Sequence, residues 1–158
     1  MLRILAALDP YIERTAPHGR DNARGLRSLI LLLRWSGLRI GEAVNLTIDK
    51  IEGSKLRLYT QKPGIQVCGV LPDFVVKTLQ TIPRVNERFY FWSGIGNLEI
   101  AVGSWQKRIR KLMRIAGVKG HPHQFRDTFA TELLQAGVPM ERVSILLGHQ
   151  SIRITEKY

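Results

Sequence analysis

The chain has 158 residues, 44% hydrophobic and 23% charged, a composition typical of one folded domain of common size. Its 24 Lys and Arg residues outnumber its 13 Asp and Glu residues, which gives a formal net charge of +11. This excess predicts a polyanionic partner and favours nucleic acid over a membrane surface. The single cysteine, Cys68, excludes a disulfide scaffold and a cysteine-built zinc site, and no apolar run approaches the roughly 20 residues of a membrane span.

The first part of the chain is predicted to contain a loop followed by two helices. Residues 9–22 are punctuated by Pro and Gly and are predicted to form a loop-rich opening. In the segment RGLRSLILLLRWSG, apolar residues recur at helical spacing and Leu29–Leu33 is apolar on every side, which predicts a helix buried in the centre of the fold. Gly37 is expected to end this helix, and a shorter helix is predicted from about Arg39 to Leu46.

From Thr47 to Leu71 the periodicity changes to that of strands. The segments KLRLYT and IQVCGVLP alternate between apolar and polar residues, and Lys62-Pro63-Gly64 between them is a turn signal. This pattern predicts a hairpin or a small three-stranded antiparallel sheet.

The remainder of the chain is predicted to be helical. Pro72 opens one helix, and a loop with Gly94, Gly96 and Gly103 precedes a long helix over Ser104–Ala116. The apolar face of that helix comprises Trp105, Ile109, Leu112, Met113 and Ala116, and its basic face comprises Lys107, Arg110, Lys111 and Arg114. The basic face is as consistent with a solvated surface as with a DNA contact.

Further helices are predicted over Gln124–Ala136 and from Pro139 to Gly148, and a last helix is predicted to start at Ser151. The predicted class is therefore α+β and mainly α-helical, with one small sheet.

Two basic positions could bind an anion, although each also has an ordinary structural interpretation. Arg39 stands at a predicted helix start, where a guanidinium can hold two phosphate oxygens, but it could simply pair with Glu42. Lys62 lies in a turn, where it could donate a proton into a cleft or serve only solubility.

His123 and Arg126 lie three residues apart, so their side chains leave the same helix face, where they could transfer a proton and hold an anion. His121 adds a second imidazole, but Pro122 separates the two and a third ligand would be needed, which argues against a metal. His149 and Tyr158 carry little information when each is taken alone.

Together these residues form the series Arg, Lys, His-x-x-Arg, His, Tyr, and with it the chain resembles the catalytic domain of the tyrosine recombinases, the phage-integrase family. The resemblance runs from LRILAAL to the last residue. The segments that carry it are SGLRIGEAVNL, YTQKPGIQVCGVLP, HPHQFRDTFATELLQAG and LLGHQSIRITEKY. One departure is Asp127, where many relatives have histidine.

The resemblance implies the fold of DNA breaking-rejoining enzymes and site-specific DNA recombination or integration through a 3′-phosphotyrosyl intermediate. It assigns Tyr158 as the nucleophile, His123 as its base and Lys62 as the acid that protonates the leaving 5′-oxygen. Arg39 and Arg126 would stabilise the phosphate charge, and His149 would hydrogen-bond a non-bridging oxygen. These implied catalytic residues are Arg39, Lys62, His123, Arg126, His149 and Tyr158. No metal or other cofactor is implied.

The resemblance also implies double-stranded DNA as partner, a homotetramer on DNA for the full-length protein, and a cytoplasmic, nucleoid-associated location for a bacterial or phage-encoded protein. Relatives carry a DNA-clamping domain before this region and a segment after the tyrosine that docks on a neighbour. The chain is therefore expected to be a catalytic-domain fragment over residues 1–158, monomeric by itself, and poorly active unless the C-terminal segment is restored. Tyr158 is expected to be the least ordered site residue, displaced from the pocket, with Ile152 and Ile154 as the packing contacts of its short helix.

Three other functions remain open at this point. A DNA-binding module with inactive chemistry would not need the six residues. A type IB topoisomerase would use the same chemistry to relax DNA without paired sites. A basic RNA-binding or nuclease domain using His123 and Arg126 would form no covalent adduct with DNA.

Overall fold

The structure, a computed structural model, describes residues 1–14, 20–59, 66–83, 86–149 and 151–158. A small sheet separates two runs of helices along these residues, which confirms the α+β, mainly α-helical class. In chain order the elements are α1 (Leu2–Arg14), α2 (Arg20–Ser36), α3 (Ile40–Val44), a 3-10 turn (Ile48–Lys50), β1 (Ile51–Glu52), β2 (Lys55–Tyr59), β3 (Gln66–Val70), α4 (Asp73–Gln80), α5 (Leu98–Ile115), α6 (Gln124–Gln135), α7 (Met140–Leu147) and a last 3-10 turn (Ile152–Ile154). None of the helices described is both long and apolar enough to cross a bilayer.

Helix α2 forms the centre of the molecule, as its apolar sequence predicts. Five of its apolar residues are at most 1% exposed: Leu26, Leu29, Ile30, Leu32 and Leu33. Helices α1, α3, α4, α5 and α6 all contact it. Since interiors are packed at the density of organic crystals, this arrangement gives the site a rigid support.

The predicted small sheet is present, and its order is β1-β2-β3 with antiparallel pairing. Leu56 of β2 and Val67 of β3 point into the protein and are nearly fully buried, whereas their neighbours along each strand face outward. Strands β2 and β3 are joined by residues 60–65, which contain Lys62 and lie outside the described residues.

The predicted loop over residues 9–22 is wrong at both of its described ends. Residues 9–14 continue α1, with Pro10 inside the helix, and residues 20–22 begin α2. Burial explains α1, because Ile4 and Leu8 are buried and Tyr11 packs against the same core. The packing of this apolar face outweighs the cost of proline within a helix.

The long helix begins six residues before its predicted start, so Gly103 is helical rather than part of a loop. The Asn97 side chain caps the first turn by accepting a hydrogen bond from the Glu99 amide at 2.7 Å. The division of α5 into two faces is confirmed: its apolar residues Trp105, Ile109, Leu112 and Met113 are buried and its basic residues Lys107, Arg110, Lys111 and Arg114 are exposed.

The last predicted helix is only a 3-10 turn, and its packing contact differs from the expected one. Ile154 is 44% exposed, whereas Thr155, the next residue, is fully buried. The side chain of Ile152 lies outside the described part of the chain.

Candidate active site

Arg126, in the first turn of α6, is the most deeply buried of the candidate residues that the structure describes, at 2% exposure. Its guanidinium donates hydrogen bonds of 2.6 Å to the carbonyl oxygens of Gly37 and Leu147. These carbonyls lie at the C-terminal ends of α2 and α7, so three helix ends converge on one side chain. Burial lowers the pKa of Arg126, and the positive charge of Arg39 lowers it further.

Gly37 makes this convergence possible. Its backbone has φ of +66°, a conformation that favours glycine, and an added Cβ would lie 2.4 Å from the Phe129 ring. Gly37 therefore both ends α2 and allows α6 to pack closely enough for Arg126 to reach its carbonyl.

Arg39 immediately precedes α3, and its side chain is 45% exposed. The Glu42 carboxylate accepts a hydrogen bond from the Arg39 backbone amide at 2.8 Å and one from its guanidinium at 3.1 Å. The pairing anticipated as the ordinary interpretation is thus present. The Arg39 guanidinium also lies close enough to Arg126 for its positive charge to lower the pKa of that arginine.

His149 follows Gly148, whose left-handed backbone ends α7. The imidazole is buried, and its Nδ1 lies 2.9 Å from the Thr155 hydroxyl. Burial, together with the positive charges of Arg126 and Arg39, lowers the pKa of His149 to about 4. His149 is therefore neutral at pH 7.

Tyr158 lies within the site, and the expected displacement is wrong. Its ring is parallel to that of His149, at an interplanar angle of 3° and 6.4 Å between centroids. Its hydroxyl is buried, makes no geometrically acceptable hydrogen bond to a described residue, and lies near enough to Arg126 to raise the pKa of that arginine. The ring also packs against the small core of Ala130, Val143 and Leu147, which offsets the shortness of the final turn.

His123 precedes α6 and is partly exposed, with Nε2 3.5 Å from Oδ1 of Asp127 one turn later. Burial lowers the pKa of His123, and the negative charge of Asp127 opposes this shift. The ring of His121 lies 6.4 Å from that of His123. Across the described ranges, no group of three or more His, Cys, Asp or Glu side chains is arranged to hold a metal ion.

A cavity of about 270 Å³ connects Arg126 and Glu42 with the hairpin. Tyr59 and Val67, near the ends of β2 and β3, also line it. Lys62 itself is among the residues that the structure does not describe, but the strand ends on either side of it border the cavity that contains Arg126.

Two residues that sequence reasoning passed over also act on the site. The Thr155 hydroxyl contacts His149, and the positive charge of Lys157 lowers the pKa of both His123 and His149. The sequence indicates only that Thr155 and Lys157 lie close to Tyr158, because they precede it by three residues and by one residue. Their contacts depend on how α7 and the final turn pack together.

The assembled site combines two guanidinium groups and two imidazoles with the ring of Tyr158, whose hydroxyl lies near Arg126. Two guanidinium groups supply fixed positive charge, His149 is a neutral imidazole, and His123 has a pKa below its ordinary value, so it can accept a proton near neutral pH. Such a set suits attack on a phosphodiester, whose developing negative charge needs preorganised cations.

Solved structures share the fold of this chain at low sequence identity. The XerH site-specific recombinase in a pre-cleavage complex with its difH substrate has a TM-score of 0.74 and 19% identity, covering 98% of this chain and 47% of that one. The XerA recombinase has a TM-score of 0.70 and 22% identity, covering 96% of this chain and 55% of that one.

Among curated proteins, a tyrosine recombinase of Agathobacter rectalis is 30% identical, over 94% of this chain and 52% of its own length. The tyrosine recombinase XerC of Rickettsia prowazekii is 29% identical, over 84% of this chain and 46% of its own length. The chain thus spans about half the length of these relatives. A sequence model described as the phage integrase family matches residues 5–158, nearly the whole chain, and the protein therefore belongs to the phage integrase family.

Proposed function

We propose that this chain is the catalytic domain of a site-specific DNA recombinase or integrase that cleaves and rejoins DNA strands through a tyrosine. The observation that carries the proposal is the meeting of Arg39, His123, Arg126, His149 and Tyr158 in one place from separate elements of the fold. A DNA-binding module with inactive chemistry would not require this convergence.

Cleavage begins when the Tyr158 hydroxyl attacks the phosphorus of a DNA phosphodiester. A tyrosine has an ordinary pKa of about 10, so its proton must leave during attack, and His123 is the base that accepts it. The bond formed is a 3′-phosphotyrosyl ester, and the bond broken is that to the 5′-oxygen. Rejoining reverses these steps, so the backbone is restored without an external energy source.

Arg39 and Arg126 hold the non-bridging oxygens as charge develops on them, and His149 adds a neutral hydrogen bond. The Nε atom of Arg126 and the Tyr158 hydroxyl are both buried and lack a well-formed hydrogen bond to a described residue, although the hydroxyl lies close enough to Arg126 to favour its charged form. A phosphate oxygen accepting from Arg126 Nε would satisfy a buried donor that otherwise weakens the fold.

Lys62 is proposed to protonate the departing 5′-oxygen. The strands that flank it border the same cavity as Arg126, which favours a position near the scissile phosphate. Replacing the 5′-oxygen with sulfur tests this role, because a thiol with an ordinary pKa of about 8.5 leaves without needing a proton donor. Lys62→Ala should slow cleavage of ordinary DNA far more than cleavage of the sulfur-containing DNA, and an equal loss on both substrates would contradict the assignment.

Duplex DNA is the proposed partner, and the formal charge of +11 supports an affinity that depends mainly on phosphate contacts. The exposed basic face of α5 is a candidate contact surface. If it contacts phosphates, the Lys107→Glu and Lys111→Glu double variant should reduce the log–log salt slope by about 0.9 for each phosphate that the variant no longer neutralises. An unchanged slope would identify the face as a solvated surface.

For the whole protein we propose a homotetramer on DNA, with this chain monomeric by itself. Light scattering should give the mass of one chain for the free domain. For a full-length relative in which this domain replaces its own, bound to paired DNA sites, it should give the mass of four chains and the DNA.

The central test is covalent capture on a duplex with a randomised core and a nick just downstream of the expected cleavage point. The short 5′-hydroxyl product diffuses away, so an attacked strand remains joined to protein and shifts in a denaturing gel. The adduct should form with the wild-type chain on the sulfur-containing substrate and with the control Tyr11→Phe, whose ring lies in α1. It should be absent with Tyr158→Phe; an adduct with that variant, or none with the wild-type sequence after the C-terminal segment of a relative has been joined to it, would overturn the proposal.

A further inference from the structure

The Thr155 hydroxyl is a buried polar group with one hydrogen-bond partner in the described structure. Thr155 has no exposed surface, and its Oγ1 lies 2.9 Å from Nδ1 of His149. Its backbone carbonyl accepts a hydrogen bond from the Tyr158 amide at 3.1 Å. One residue thus contacts both the imidazole and the turn that carries the tyrosine.

The direction of the hydrogen bond between Thr155 and His149 follows from the burial of the hydroxyl. If Nδ1 carried the proton, the threonine oxygen would accept it, and the threonine's own O–H would have no acceptor among the described residues. An unsatisfied buried donor is costly, whereas an oxygen with one unused lone pair costs less. The arrangement that satisfies the donor is therefore Thr155 O–H donating to an unprotonated Nδ1.

We propose that Thr155 is a positioning residue that holds His149 as its Nε2–H tautomer and fixes the plane of the ring. The claim that this Nε2–H donates to a phosphate rests on the proposed function, whereas the claim about the tautomer does not. A neutral Nε2–H donates to a phosphate oxygen, while the alternative tautomer would present a lone pair to it. The Tyr158 ring lies parallel to the imidazole, with 6.4 Å between their centroids.

The electrostatic surroundings of His149 make the tautomer decisive at neutral pH. The charged and titratable groups acting on it are Arg126, Arg39, Lys157 and His123, all of which disfavour a second proton. A doubly protonated ring would donate from either nitrogen, so its orientation would matter less. A neutral ring has one donor, and Thr155 determines which nitrogen carries it.

Nitrogen-15 NMR of the histidine ring in the wild-type chain at pH 7 tests the inference directly. His149 should show a protonated Nε2 and an unprotonated Nδ1. A protonated Nδ1, or rapid exchange between the two forms, would overturn the proposal. This measurement requires neither DNA nor a variant.

Variants then test whether the tautomer matters for cleavage. Thr155→Val keeps the shape and removes the donor, Thr155→Ser restores the hydroxyl, and Thr78→Val removes an exposed hydroxyl of α4 as a matched control. Removing a donor to a developing oxyanion costs roughly 100- to 1,000-fold in rate, and Thr155→Val, which misdirects the donor without deleting it, should cost about tenfold. Thr155→Ser should remain near the wild-type rate and tautomer, and a serine variant as slow as the valine variant would contradict the role of the hydroxyl.

A double-variant cycle separates positioning from general packing. If Thr155 acts through the imidazole, Thr155→Val should cause no additional loss of rate in a His149→Ala background. Equal losses in both backgrounds would show that Thr155 acts independently of His149. If Tyr158→Phe still formed the adduct, the proposed function would be overturned but the NMR assignment of the tautomer would stand. If Tyr158→Phe formed no adduct, and Thr155→Val kept the wild-type tautomer and rate, only the inference about Thr155 would be overturned.

Discussion

Arg126 and His149 form an inner pair in the site, and Arg39 and His123 form an outer pair. Each pair contains one guanidinium and one imidazole. The inner residues are 2% and 8% exposed, whereas the side chains of the outer residues are 45% and 44% exposed. The same two chemical groups thus occur once in a buried setting and once in a largely solvated one.

The partners of the two pairs differ in the same way. Arg126 and His149 are held by neutral oxygens, two backbone carbonyls and one threonine hydroxyl. Arg39 and His123 each face a carboxylate in the first turn of the helix that follows, Glu42 three residues later and Asp127 four residues later. The inner pair therefore depends on the packing of several helix ends, and the outer pair depends on local helical geometry.

This difference predicts that stability and chemistry are coupled at the inner pair and separable at the outer pair. A buried cation held by carbonyls contributes to the fold, because its removal leaves acceptors without donors. A solvated ion pair contributes little to the fold. Mutations at either pair should therefore lower activity, but only those at the inner pair should also lower the free energy of unfolding substantially.

The largest expected difference is between Arg126→Ala and Arg39→Ala. Arg126→Ala removes two charge-assisted hydrogen bonds to buried carbonyls, worth about 1.5–3 kcal/mol each, and relieves repulsion with Arg39, so we expect a net loss of about 4 kcal/mol in the free energy of unfolding. Arg39→Ala removes an exposed pair and should cost less than about 1 kcal/mol. Urea unfolding measures both values, and equal losses would refute the distinction between the pairs.

Gly37→Ala tests the backbone on which the inner pair depends. A left-handed alanine costs roughly 1–2 kcal/mol and crowding against a packed ring roughly 1–3 kcal/mol more, which together predict a loss of about 3 kcal/mol. Gly117 has the same φ of +66° but has no atoms within 4 Å of an added Cβ. Gly117→Ala should therefore show only the backbone cost of about 1–2 kcal/mol, and a loss as large as that of Gly37→Ala would exclude crowding at Phe129 as the cause.

The outer pair could largely be predicted from sequence, because its contacts follow helical spacing. A separation of three residues favours the pairing of Arg39 with Glu42, and a separation of four favours the contact of His123 with Asp127. The helix and sheet order was also accessible, because α2 and the hairpin have clear apolar periodicities.

The inner pair could not be predicted in the same way, because its partners are distant in sequence. The carbonyl of Gly37 lies 89 residues from Arg126, and neither a carbonyl nor a buried threonine has a distinctive sequence signal. The placement of Tyr158 was missed for the same reason, since its ring is held by packing against α6 and α7 rather than by the propensity of the final turn. Tertiary packing likewise explains why α1 continues through Pro10.

The pH dependence of stability should arise mainly from the inner imidazole. His149 has a pKa of about 4 in the folded chain against an ordinary 6.5, so above pH 6.5 it is neutral in both states and contributes no pH dependence. Between pH 6.5 and pH 4 the unfolded chain binds a proton that the folded chain excludes, which lowers the free energy of unfolding by about 2–3 kcal/mol as pH falls. The difference between wild type and His149→Gln, measured by urea unfolding from pH 7 to pH 4, isolates this contribution; parallel curves would contradict it.

The smallest expected effects are opposite shifts at the outer imidazole. Asp127 raises the pKa of His123 and Lys157 lowers it, so Asp127→Asn should lower this pKa further and Lys157→Gln should raise it. Because Lys157 also acts on His149, Lys157→Gln should raise the pKa of both imidazoles. NMR titration of the ring protons measures these shifts, with Lys119→Gln as a control for the loss of an exposed lysine.

If His123 is the base, the acid limb of the cleavage rate should follow its pKa, moving to lower pH in Asp127→Asn and to higher pH in Lys157→Gln. A pKa of His123 that moves while the acid limb stays fixed would show that another group accepts the proton of Tyr158.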